Sequence, residues 1–156
     1  MSLNQSVHRI AIVGTGVIGA SWAAYYLARG FDVVATDPGP QAEANLREYV
    51  DDAWPLLTQI GLSSGASRDR LTFTPNMNLA LADADWVQEN APERPDFKIK
   101  LFAQMDEATP PSSVIASSSS DAEPWQHGVS SAGPGGGGAT VFGCSARDAD
   151  DGASRG

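Results

Sequence analysis

Five short apolar runs punctuate the first 120 residues, and between them the apolar positions switch to helical spacing. "RIAIVG" (9–14) is apolar after its first residue and ends at glycine, the pattern of a strand buried on both faces. "VIGASWAAYYLAR" (17–29) carries apolar residues at helical spacing, with glycine at 30 as the stop. "FDVVATD" (31–37) predicts a second strand. Pro38 and Pro40 lead into a helix, "QAEANLREYVDDAW", which Pro55 is expected to interrupt. "LTF" (71–73) and "ADWVQEN" (84–90) predict two more strands around a short helical piece. "PDFKIKLFAQMDEA" (95–108) reads as a helix with proline in its first turn, and "SSVIASS" (112–118) as a fifth strand.

Strands alternating with helices of about 10–15 residues predict a parallel sheet covered on both faces. Right-handed crossovers then give an α/β, doubly wound (Rossmann) fold, cut short after its fifth strand. Such a sheet is expected to expose the edge of that strand, together with an apolar face, and to self-associate.

The pattern fails after Ser120. Nine of the sixteen glycines fall in residues 121–156, which contain no Leu, Ile, Met, Tyr or Lys. A segment so poor in aliphatic side chains cannot offset the entropy of ordering, so this tail is predicted to be disordered. Residues 1–120 form the expected domain. The tail reads as the product of a shifted reading frame or a misjoined exon, or else as a genuine short extension.

The formal net charge of −9 argues against nucleic acid or an anionic membrane as a partner. The first 120 residues alone hold fourteen acids against eight Lys and Arg, so the acidity is not a property of the tail. Cys144 is the only cysteine, which excludes an internal disulfide and a multi-thiolate metal site; no metal is expected. "MSLNQSVHRI" lacks the features of a signal or transit peptide, and no apolar run approaches the ~18 residues of a membrane span. A cytoplasmic setting is expected.

Gly14-Thr15-Gly16-Val17-Ile18-Gly19 fits G-x-G-x-x-G, follows a strand and opens a helix, and precedes an acid, Asp37, at the end of the next strand. Gly14 would allow the tight turn, Gly16 the approach of a pyrophosphate, and Gly19 close packing of helix on sheet. Read as structure alone, the glycines would serve only turn geometry and Asp37 would only cap a strand end; the agreement of strand, loop, helix, strand and acid favours a dinucleotide. The helix start, with Val17 and Ile18, would offer N–H groups and a positive dipole end to phosphates. Asp37 would accept from the adenosine ribose hydroxyls and repel a 2′-phosphate, which favours NAD over NADP; FAD uses the same fingerprint and stays open.

With "IAIVGTGVIGASWA", "DWVQENAPERPDFKIKLFAQMD" and "SVIASSSS" in view, residues 9–120 resemble the NAD-binding domain of the 3-hydroxyacyl-CoA dehydrogenase family. "ENAPER" and "AWPLLTQIG" are most similar to its L-carnitine dehydrogenase branch, with lambda-crystallin-like and hydroxybutyryl-CoA enzymes nearby. The resemblance implies that Glu93 and Lys98 touch the cofactor and that Ser120 contacts the substrate, a 3-hydroxyacyl-CoA or carnitine. Read from the residues alone, Glu93 and Lys98 could be a solvated pair at a helix start, and Ser117 to Ser120 a polar turn. Glu89, Glu93 and Lys98 would lie at the sheet edge where doubly wound folds bind ligands. The three arginines and absent lysines between residues 38 and 70 lean towards carnitine over the phosphates of an acyl-CoA.

The resemblance stops at the chemistry. The family's general base, a His about twenty residues beyond the serines, falls on Val141, and the helical substrate domain that the resemblance implies is expected to be missing. His8 is expected at the surface, and His127 has no catalytic context; a Ser120–His127–Asp121 group has no supporting spacing. The chain is therefore expected to hold NAD without turning over, as an incomplete oxidoreductase or as an inert NAD-binding module.

Overall fold

The computed structural model describes residues 6–92, 94–118 and 140–143. They form six parallel strands: β1 (Arg9–Val13), β2 (Asp32–Thr36), β3 (Leu71–Phe73), β4 (Trp86–Glu89), β5 (Val114–Ser117) and β6 (Thr140–Gly143). The order across the sheet is β3-β2-β1-β4-β5-β6. Four helices connect them: α1 (Val17–Ala28), α2 (Ala42–Ile60), α3 (Met77–Leu81) and α4 (Pro95–Ala108), with a 3₁₀ turn at Arg68–Arg70. The strand order reverses between β1 and β4, which places a crevice at their C-terminal ends.

Both faces of the central strands β1, β2 and β4 are buried, as the apolar runs predict. Ala11, Val13, Val34, Val87 and Ile115 pack with Leu101, Phe102 and Met105 of α4 and with Ala80 and Leu81 of α3. Ile10, Ile12, Val33 and Ala35 face the other way, against Ala20, Ala23, Ala24 and Leu27 of α1 and Leu46 and Val50 of α2. Successive residues of β1 thus feed two different cores, the period-2 geometry of a strand with no polar face. At the opposite end of the sheet, Asp85 accepts from the amides of His8 and Arg9 and fixes the entry to β1. His8 is exposed, as expected, and bonds Ser6.

Two expectations are corrected. Pro55 does not interrupt α2, which runs through it. The bond lost there is to the carbonyl of Asp51, and both residues lie on the exposed face, where water reaches. Leu46 and Val50 before the proline and Trp54 and Leu57 around it hold both halves of the helix on one core. The sheet also does not end at its fifth strand. Thr140–Gly143 pairs with β5 in parallel register, Val114 opposite Thr140 and Ser117 opposite Gly143. "ATVF" is the one stretch of the tail with β-branched and aromatic residues together, and the free edge of β5 offers it a row of backbone partners. The predicted disorder of the rest of the tail concerns residues 121–139 and 144–156, outside the described residues.

Candidate functional site

The glycine loop is built by local backbone geometry. Gly14 takes φ +87°, which L side chains rarely adopt, and its amide donates to the Thr36 carbonyl at 3.0 Å. A Cβ on Gly14 would stand 3.1 Å from the carbonyl of Asn90, so β4's exit presses against the turn. Gly19 is tighter: a Cβ there would sit 1.9 Å from the Gly14 oxygen and 3.2 Å from Asn90 Nδ2. Helix α1 can lie this close to the loop only because position 19 has no side chain.

Gly16 is different. A Cβ on it would meet nothing within 4 Å. It caps α1 without any side-chain bond, and the first turn carries no acid. The helix start therefore points its N–H groups, which have no intrahelical partner, into open space, and Val17 and Ile18 are exposed beside it. Room above a bare helix N-terminus is the cradle that a pyrophosphate requires.

Asp37 stands one residue past β2 and does more than its spacing predicts. Its Oδ2 accepts from the Thr15 amide at 2.9 Å and its Oδ1 from the Gly39 amide at 2.8 Å. The carboxylate braces the glycine loop and still has lone pairs free for ribose hydroxyls. A cleft of about 450 Å³ opens beside it, with Gly14, Pro38, Met77, Pro92, Phe97 and Leu101 among its walls. This apolar slot next to an acceptor suits a flat base and its ribose.

The other end of the crevice lies at β4 and β5. Val13, Glu89 and Ser117, the last residues of β1, β4 and β5, stand in one register row. Glu89 is fully buried. Its Oε1 accepts from the Ala91 amide at 2.6 Å and its Oε2 from the Ser117 hydroxyl. Lys98, in the first turn of α4, brings its Nζ to 3.7 Å from the same Oε2, with side-chain exposures of 4 % for the lysine and 0 % for the glutamate. Lys98 is not the solvated residue that a helix start would suggest. Glu93 and Ser120, the other two positions drawn from the resemblance, lie outside the described residues.

A second polar chain runs alongside. Gln88 Nε2 donates to Ser118 Oγ at 3.0 Å, Ser118 Oγ donates to Asn90 Oδ1 at 2.7 Å, and Asn90 Nδ2 donates to the Gln88 carbonyl at 3.1 Å. Tyr26 donates to Gln88 Oε1 at 3.4 Å; burial, with Tyr25 close by, pushes its phenol up to about 12, so it stays neutral and remains a donor. Sequence reasoning did not single out Asn90, which walls both Gly14 and Gly19. An amide side chain at a strand exit carries no distinguishing mark in the sequence. Among the described residues, no cluster of three or more His, Cys, Asp or Glu could hold a metal, and no helix is long and apolar enough to cross a membrane.

Residues 9–127 match the family described as 3-hydroxyacyl-CoA dehydrogenase, NAD binding domain. An L-carnitine dehydrogenase of Streptomyces coelicolor is 55 % identical over 120 residues, which cover 77 % of this chain and 38 % of that protein. One from Bacillus cereus is 46 % identical over 120 residues, covering 77 % and 37 %. Among solved structures, 3-hydroxybutyryl-CoA dehydrogenase of Escherichia coli K12 superposes with a TM-score of 0.65 at 28 % identity, covering 74 % of this chain and 25 % of that one. An NAD⁺-dependent dismutase, 5-formyl-3-hydroxy-2-methylpyridine 4-carboxylic acid 5-dehydrogenase, gives 0.66 at 32 % identity, covering 74 % and 38 %. The chain thus spans little more than a third of the curated relatives' length.

Proposed function

We propose that this chain, which belongs to the 3-hydroxyacyl-CoA dehydrogenase family through its NAD-binding domain, holds NAD across the crevice for oxidation of a 3-hydroxy substrate. The observation that carries the reading is the contrast between Gly19, which has no room for a side chain, and Gly16, which has open space above a bare helix start. The pyrophosphate rests on that start, the adenosine ribose on Asp37, and the base in the slot lined by Pro38, Met77 and Phe97. The nicotinamide half extends to β4 and β5, where Lys98 and Glu93 meet it. Asp37 disfavours a 2′-phosphate, so NADH binds more tightly than NADPH.

The substrate class is a small 3-hydroxy compound, with L-carnitine favoured over acyl-CoA. The identity to L-carnitine dehydrogenases supports this, as does the lack of lysine between residues 38 and 70. Ser120 would hold a substrate oxygen. The exposed apolar side chains Ile18, Trp22 and Tyr25 on α1 support self-association.

When bound, NAD supplies the acceptor for hydride. The residues named here bind and orient it, but none removes the hydroxyl proton. At position 141, where the resemblance implies the base, valine stands, which accepts no proton. General-base help is worth about 10²–10⁴ in rate. The chain alone therefore binds NAD without oxidising substrate. The test is NADH formation by the purified chain with saturating NAD and either L-carnitine or L-3-hydroxybutyryl-CoA. No rate above the protein-free blank is expected; turnover of about one per second, within the ordinary enzyme range, would overturn the reading.

A further inference from the structure

Burying a lysine and a glutamate together is costly unless the geometry is satisfied on both sides. Here the glutamate is held by hydrogen bonds, one oxygen by the Ala91 amide and the other by the Ser117 hydroxyl, and the Lys98 ammonium stands 3.7 Å from that second oxygen as its ion-pair partner. The pair does not sit in mid-core, where two apolar residues would serve the fold equally well. It stands at the C-terminal edge of the sheet, in the register row that ends β1, β4 and β5 and one residue before Gly14. An ammonium has three donors, and the carboxylate engages Lys98 from one side. The lysine is thus a fixed cation at a ligand-binding edge.

Its place along the crevice can be estimated. Asp37 follows β2, the glycine loop follows β1, and Glu89 and Ser117 end β4 and β5. At about 4.8 Å per strand, β2 and β5 are roughly 14 Å apart with the phosphate cradle between them. Lys98 does not line the base slot, although its neighbours Phe97 and Leu101 do. The charged group therefore serves the nicotinamide half alone.

We infer that Glu89, fixed by the Ser117 hydroxyl, is a positioning residue that holds the Lys98 ammonium against the nicotinamide-side ribose of the dinucleotide. This rests on the NAD-binding reading above. Glu89 touches no ligand itself. Without its charge the buried ammonium loses the ion pair that fixes it, and the cofactor loses a charge-assisted contact at one end only.

The experiment measures NADH and AMP binding to the full 156-residue chain, together with thermal melting. The proteins are the wild type, Glu89→Gln, Lys98→Met, the double variant and Ser117→Ala. AMP reports the adenosine end, and a loss confined to NADH reports the other. Glu89→Gln and Lys98→Met are each expected to weaken NADH binding about tenfold, the lower end for a charge-assisted hydrogen bond. AMP binding should stay within about twofold in both. The double variant should bind NADH no more weakly than Lys98→Met, because the glutamate acts only through the lysine. Ser117→Ala should lose about threefold for NADH and nothing for AMP.

Retained NADH affinity in Glu89→Gln beside a loss in Lys98→Met would overturn the inference. So would equal losses of NADH and AMP in Glu89→Gln, the mark of a merely structural role, or additive losses in the double variant. If Glu89→Gln does not fold, Ser117→Ala decides: an NADH-only loss supports the inference, and wild-type binding overturns it. A wild type that binds neither ligand would sink the NAD reading itself, an outcome separate from all of these.

Discussion

The two ends of the crevice are built from different materials. At the β2 end the parts are backbone: a glycine turn, a helix start and one carboxylate that braces the loop through the Thr15 and Gly39 amides. At the β4–β5 end they are buried side chains, a glutamate, a lysine and a serine held to one another across two strands and a helix. The first end is rigid because the chain has no other way to make the turn. The second is rigid only while its charges stay balanced. The difference predicts how each end fails.

The largest expected effect is at the backbone end. Gly19→Ala would drive a methyl to 1.9 Å from the Gly14 oxygen, a clash with main chain that no rotamer relieves. A loss of about 3 kcal/mol or more is expected in urea denaturation, at the upper end for overpacking. Gly16→Ala is its counterpart, with open space at the same loop: stability should change by less than about 1 kcal/mol, while NADH affinity falls at least about tenfold. If the two variants were equally stable, the close packing of α1 on the loop would be wrong.

At the charged end, Glu89→Gln should cost about 3–5 kcal/mol, since it strands a buried ammonium. Glu89→Gln/Lys98→Met should recover most of that, because two neutral side chains of similar shape replace the pair. Denaturation curves for the three proteins check this. A double variant no more stable than the single one would mean that charge balance is not what holds this end together.

The same contrast explains what the sequence disclosed. A glycine at the end of an apolar run, two more at fixed spacing and an acid after the next strand have few other uses, so Gly14, Gly16, Gly19 and Asp37 were legible together. Glutamate, lysine and serine are residues of the surface by default. Nothing about Lys98 in the sequence marks it as 3 % exposed, and its partner Glu89 becomes visible only when α4 packs over the ends of β4 and β5. The strands themselves were readable because the central ones are buried on both faces and carry runs of apolar residues, as in Ile10–Val13 and Val33–Ala35. Pro55 and β6 were misread for opposite reasons. A proline on an exposed helix face costs a bond that water replaces, and the short "TVF" run gains a partner in the free edge of β5 that composition cannot reveal.

The account stands on NAD lying with its adenosine ribose against Asp37, and calorimetric titration of the chain with NADH and with NADPH tests that directly. NADH should bind about ten- to a hundredfold more tightly, the range of a lost charged hydrogen bond, and Asp37→Ala should narrow the gap. Equal affinities for the two in the wild-type chain would contradict it.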